Sequence, residues 1–118
     1  MRYRWINASK GDALVAAQAE KAESFWARFK GLLGRDDLEP GGGLHIEPCN
    51  SIHMFFMRFA IDVVFLDEEL RVVRAISGIK PWRATRAYTK ATSVLELPEG
   101  VVAQTGIAPG DVLRCIES

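Results

Sequence analysis

Ten consecutive residues, Cys49-Asn50-Ser51-Ile52-His53-Met54-Phe55-Phe56-Met57-Arg58, hold one of the two cysteines, one of the two histidines and two of the three methionines in the chain. In an extended segment Cys49, Ser51, His53, Phe55 and Met57 share one face; in a helix Cys49, His53 and Met57 still align, because steps of four stay together. Three chemistries fit. Cysteine and methionine are commonly buried, so Cys49, Phe55, Phe56 and Met57 can simply be core, with His53 bonded to a backbone carbonyl. A nucleophilic Cys49 would need His53 as base and Asn50 or Asp62 to orient it. A thiolate, imidazole and thioether set, Cys49, His53 and Met57, would suit cuprous ion. A zinc finger is excluded, since Cys49, Cys115, His45 and His53 include no Cys-x-x-Cys pair.

A second feature is charge. From Arg71 to Leu95 the chain carries Arg71, Arg74, Lys80, Arg83, Arg86 and Lys90 and no acidic residue. This pattern is either a strand edge kept soluble by cations or an anion pocket, with Arg83 as bidentate donor and Trp82 as a flat wall. Asp62, between Ile61 and Val63, needs a partner if buried, and Arg58 is the nearest charge. Glu96, between Leu95 and Leu97, poses the same question, with Arg83 or Lys90 as partner.

The elements that must position these groups follow from periodicity. Tyr3–Ile6 and Ala13–Ala17 read as strands around a turn. Ala22, Phe25, Trp26, Phe29, Leu32 and Leu33 recur at steps of three and four, which predicts a helix over Ser24–Leu33 stopped by Gly34. Asp36–Gly43 is a loop before a strand at Leu44–Ile46. Ile61–Leu66 and Leu70–Ile76 flank the turn Asp67–Glu69, an antiparallel pair expected at the centre of the sheet with its first member buried on both faces. Val94–Leu97 and Val112–Ile116 are the last strands, and Pro98–Gly110 between them leaves room for one helical turn.

A chain of 118 residues suits one domain, since single domains run to roughly 100–150 residues. Fifteen basic residues balance fifteen acidic ones, so nothing in the overall charge draws it to nucleic acid or an anionic membrane. No apolar run approaches the roughly 18 residues that span a bilayer, and Met1–Lys10 has no secretory signature. With only two cysteines the expectation is a reducing, cytoplasmic setting, although a leader removed beforehand would leave the same sequence.

Gly31-Leu32-Leu33-Gly34-Arg35, Cys49 through Leu66, Pro81-Trp82-Arg83, Val94-Leu95-Glu96-Leu97-Pro98 and Gly106 to Asp111 together resemble the uncharacterised bacterial and archaeal family known as domain of unknown function one hundred and ninety-two. The likeness runs from Leu14 onward, is strongest over 24–113, and is most specific from His53 to Phe65. It implies a compact, strand-rich α+β domain, often occurring alone and in some relatives preceded by an export signal. It implies no activity, cofactor or partner. Met54 stands where the family usually has Thr, Ala60 where it usually has Pro, and Leu33 where it often has Met.

The expected architecture is therefore one α+β domain over 1–118, mainly antiparallel, its sheet curled like a barrel with one packed helix. Binding is expected rather than turnover, in a pocket for a small anionic ligand lined by Cys49, Ser51, His53, Arg58, Asp62, Lys80, Trp82 and Arg83. Copper at Cys49, His53 and Met57 ranks below it, and a protein-interaction module is the other alternative. Location discriminates: a shared concave pocket favours an enzyme or small-molecule binder, a flat apolar patch an interaction module.

Overall fold

Alternating and continuous apolar runs make strands here wherever a neighbouring strand can take up the backbone hydrogen bonds. The computed structural model describes residues 1–22, 32 and 34–117. They form β1 (Arg2–Asn7), a short 3₁₀ turn (Ala8–Lys10), β2 (Ala13–Ala22), β3 (Gly42–Ile46), β4 (Ile61–Leu66), β5 (Val72–Ile79), β6 (Ser93–Pro98), α1 (Val101–Thr105) and β7 (Leu113–Glu117). One mixed sheet has the order β5-β4-β6-β3-β2-β1-β7, antiparallel throughout except for β2 beside β3. The sheet curls into a half-barrel, and the fold is α+β as expected.

Its two edges approach at one end. Arg71 and Val112 form an isolated antiparallel bridge. Val72 N–H donates to Asp111 O at 2.8 Å, and Leu113 N–H to Leu70 O at 2.9 Å. The inner face buries Trp5, Val15, Ala16, Ala19, Val64, Leu66, Leu95, Leu97 and Leu113, with Val102 of α1 packed among them. The outer face buries Leu44, Ile46, Ile61, Val63, Phe65 and Val94, covered by Leu32, Ile52, Met54, Met57 and Ala91. Every residue of β4 is buried, as a run that is apolar apart from Asp62 requires of a strand packed on both faces.

Three expectations need correction. The β4–β5 pair lies at one end of the sheet and β3 at its centre, because β6, remote in sequence, takes the second side of β4. Ala22 ends β2 instead of opening a helical stripe. β3 begins at Gly42, inside the stretch read as loop. A Cβ on Gly43 would stand 3.1 Å from the Glu96 carbonyl oxygen and 3.3 Å from Ala19 Cβ, so the absence of a side chain lets β3 fit there. The helix expected over Ser24–Leu33 lies outside the described residues apart from Leu32, which is buried in the outer core.

Candidate functional site

The Cys49–Met57 segment and the Lys80–Tyr88 segment lie side by side and are joined through their backbones. Trp82 N–H donates to Met54 O at 2.7 Å, Met54 N–H to Arg83 O at 2.6 Å, Thr85 N–H to Ile52 O at 2.9 Å and Tyr88 N–H to Asn50 O at 2.9 Å. His53 and Ala84 form an antiparallel bridge. The segments that were expected to bound a cleft are thus zipped together, and what they share is a surface.

Along the first segment the side chains alternate as an extended chain requires. Ile52 and Met54 are buried; Ser51, His53 and Phe55 face out. At Phe56 the alternation breaks. Met57 N–H donates to Met54 O at 3.2 Å, closing a turn whose third residue, Phe56, has φ +65°. The turn returns Met57 to the core, at 7% exposure, while Phe56 is left 71% exposed. A second turn beside it repeats the geometry. Arg83 N–H donates to Lys80 O at 3.3 Å, Pro81 is its second residue, and Trp82, the third, has φ +69° and is 59% exposed. Proline second and positive φ third is the type II arrangement, where glycine normally takes the third position.

The rings make one platform. Phe56 meets Trp82 edge-on with centroids 4.8 Å apart, Phe55 lies 6.2 Å from Trp82, and His53 lies 5.0 Å from Phe55. Lys80 and Arg83, exposed, are the ends of the turn that carries Trp82. The exposure of Phe55 and Phe56 corrects the reading of both as core. Their hydrophobicity argued for burial, and the turn at Phe56 reverses it.

The remaining candidates are placed elsewhere. Asp62 is fully buried on the inner face, and its carboxylate accepts from Gly78 N–H at 2.8 Å, Gly100 N–H at 3.1 Å and Val102 N–H at 2.8 Å. It holds the start of α1 against β4 and β5. The expected Arg58–Asp62 pair does not form: Arg58 donates to Asp36 Oδ1 at 2.7 Å at the surface, where such pairs contribute little. Cys49 is half-buried, donates to Ser51 O at 3.1 Å, and borders a hollow of about 350 Å³ with Pro48, Asn50, Ala91 and Thr92. Burial, with Glu96 adding to it, pushes the Cys49 thiol up against the lowering effect of the Ser51 hydrogen bond. This is opposite to what a nucleophilic thiolate needs. The copper set is split, with Met57 in the core and His53 on the exposed face. Among the described residues no three His, Cys, Asp or Glu side chains gather as metal ligands do.

Glu96 is buried on the outer face, opposite Leu44 of β3 and Val63 of β4. The cation that acts on it is Arg35, which also bonds Glu20 at 3.3 Å, in place of the expected Arg83 or Lys90. Burial pushes the Glu96 carboxyl up to about 7.

The family model described as Uncharacterized ACR, DUF192, matches residues 6–115. The chain belongs to this family. Among DUF192 relatives it is 34% identical over 114 residues to a UPF0127 protein of Thermococcus sibiricus, covering 90% of this chain and 70% of that one. It is 32% identical over 115 residues to a UPF0127 protein of Pyrococcus furiosus, covering 92% and 95%. The half-barrel superposes on the crystal structure of a protein of unknown function from Novosphingobium aromaticivorans with a TM-score of 0.81 at 22% identity, covering 97% of this chain and 84% of that one. That likeness speaks for the fold. None of the three brings an activity with it. Among the described residues no helix is long and apolar enough to cross a membrane.

Proposed function

We propose that this DUF192 domain is a binding module whose contact surface is the His53, Phe55, Phe56 and Trp82 platform, and that its ligand is a protein segment carrying carboxylates beside an apolar side chain. The observation that carries this reading is the pair of adjacent turns that put Phe56 and Trp82 at left-handed positions. A bulky side chain there costs about 1–2 kcal/mol relative to glycine, and neither ring recovers that cost by burial. Strain kept for exposed rings is expected where the rings are used. Large aromatics and arginine are the residues that dominate protein contacts. The charge of the ligand follows from Lys80 and Arg83 beside Trp82, within a stretch from Arg71 to Leu95 that has no acidic residue.

The test is selection of displayed peptides on the intact chain, followed by affinity measurements on wild type, Trp82→Gly and Arg83→Ala. Peptides enriched in Asp or Glu next to an aromatic or aliphatic residue are expected. Trp82→Gly should weaken them about tenfold or more, the scale of a hot-spot residue, and Arg83→Ala should lessen the salt dependence of binding. Selected peptides that bind Trp82→Gly as tightly as wild type would sink the reading. Phosphate or citrate raising the melting temperature only when Arg83 is present, with no peptides selected, would replace it by a small-anion site.

A further inference from the structure

The turn between β4 and β5, Asp67-Glu68-Glu69-Leu70, sets carboxylates beside an apolar side chain, which is the chemistry of the platform's proposed ligand. Its shape is fixed by the backbone. Leu70 N–H donates to Asp67 O and Asp67 N–H to Arg71 O, both at 3.0 Å, while Asp67 Oδ1 accepts from Glu69 N–H and Arg71 N–H, both at 2.9 Å. Glu68 and Glu69 are exposed, and among the described residues neither forms a salt bridge. Arg71, the nearest cation in sequence, donates to the Gly110 carbonyl at 3.2 Å instead. The other acidic stretch with an apolar residue is already matched within its own chain: Asp36 is paired with Arg58 at 2.7 Å, and Asp37, Leu38 and Glu39 share a hollow with Arg2 and Arg35.

We infer that the platform's partner is a second copy of this chain, which docks its Asp67–Leu70 turn on Phe56 and Trp82 with Glu68 and Glu69 against Lys80 and Arg83. The assignment rests on the platform being the contact surface and adds the identity of what it holds. The acidic turn leads into β5 at Val72, and the turn from Lys80 to Arg83 follows the end of β5 at Ile79. One edge strand thus has an acidic end and a basic end, about 20–25 Å apart at the rise of a strand, and a copy cannot cover its own platform with its own turn. Between copies the two ends complement each other. No net charge opposes their approach, since fifteen basic residues balance fifteen acidic ones. Because the two surfaces differ, the contact is heterologous, and copies add head to tail unless they close into a ring. A turn already fixed by its own hydrogen bonds loses little freedom on docking. A contact this small falls below the roughly 1,200 Å² of stable complexes, so the association is transient, in the micromolar to millimolar range.

The experiment is sedimentation equilibrium of the full chain from about 10 μM to about 1 mM, at low and high sodium chloride. The average mass should rise with concentration and fall with salt, as contacts between surface charges do. Trp82→Gly, where glycine suits the left-handed backbone, and the double change Glu68→Lys with Glu69→Lys at exposed positions should each raise the dissociation constant about tenfold or more. An equimolar mixture of the two variants should associate again and stop at two copies, because each keeps one working surface. A wild type that stays monomeric while selected peptides still bind at Trp82 would overturn the second copy and leave the contact surface standing. A monomer that binds no peptides would remove both. Self-association that survives either variant, or a mixture that fails to pair while wild type associates, would place the contact elsewhere and overturn the inference.

Discussion

Two carboxyl groups buried in the sheet, Asp62 and Glu96, differ in the donors they find. Asp62 accepts three backbone N–H groups from β5 and the start of α1. Glu96 Oε1 has no partner among the described residues, and burial pushes its carboxyl up to about 7. The folded chain then holds the Glu96 proton up to about 7, whereas the unfolded chain releases it near 4.5. Between those values the unfolded state binds fewer protons, so this residue makes stability fall as pH rises and leaves a constant penalty above 7. Glu96→Gln, which keeps the shape and removes the titration, should gain on wild type by roughly 2–4 kcal/mol between pH 4 and pH 8. Urea denaturation of both proteins at the two pH values measures it. A difference that stays the same at both would show that Glu96 is ionised in the fold.

Two turns of the same kind, closed side by side, govern the platform. Met54 is shared by both: its carbonyl accepts from Met57 and Trp82, and its N–H donates to Arg83 O, so neither turn can relax alone. Phe56→Gly should leave stability within about 1 kcal/mol of wild type, since relief of left-handed strain is offset by the entropy that glycine adds to the unfolded chain. Its ring contact with Trp82 would be lost together with peptide binding. Equilibrium unfolding alongside the affinity measurement separates the two effects. A loss above about 2 kcal/mol would make Phe56 a packing residue and remove the argument that strain is kept for a contact surface.

Closure of the half-barrel depends on a clamp between chain ends. Asp111, just before β7, accepts from Asn7 Nδ2 at 2.9 Å, Lys10 Nζ at 2.7 Å and Ala108 N–H at 3.0 Å, next to the Arg71–Val112 bridge. The hydrogen bonds from Lys10 and Asn7 hold its carboxyl below the ordinary aspartate value, against the raising effect of burial. A lowered folded pKa means that the stabilisation is complete above the unfolded value, about 4, and is lost as pH falls through the folded one. Asp111→Asn should therefore lower stability by about 1–3 kcal/mol at pH 7, with a deficit that shrinks below pH 4. Thermal melts of the two proteins across this range test it, and a deficit independent of pH would show that the clamp is steric.

Local pattern was enough for much of this molecule. The run Ile61–Leu66, apolar apart from Asp62, marked a strand buried on both faces, the Pro98–Gly110 gap contained the one turn of helix at Val101–Thr105, and the block from His53 to Phe65 was the most specific part of the family likeness. Periodicity reports which face of an element is apolar, and those features ask nothing more. The pairing of β4 with β6 and of β2 with β3 joins stretches far apart in sequence, and the donors to Asp62 are backbone N–H groups that no residue type announces. The same limit hid the platform and the contact between the buried Trp5 and His45 rings. Phe55 and Phe56 are as apolar as any core residue, and His45 and Trp5 lie on strands that only the curled sheet brings together. Exposure and burial are properties of what surrounds a side chain, and the surroundings are set by long-range packing.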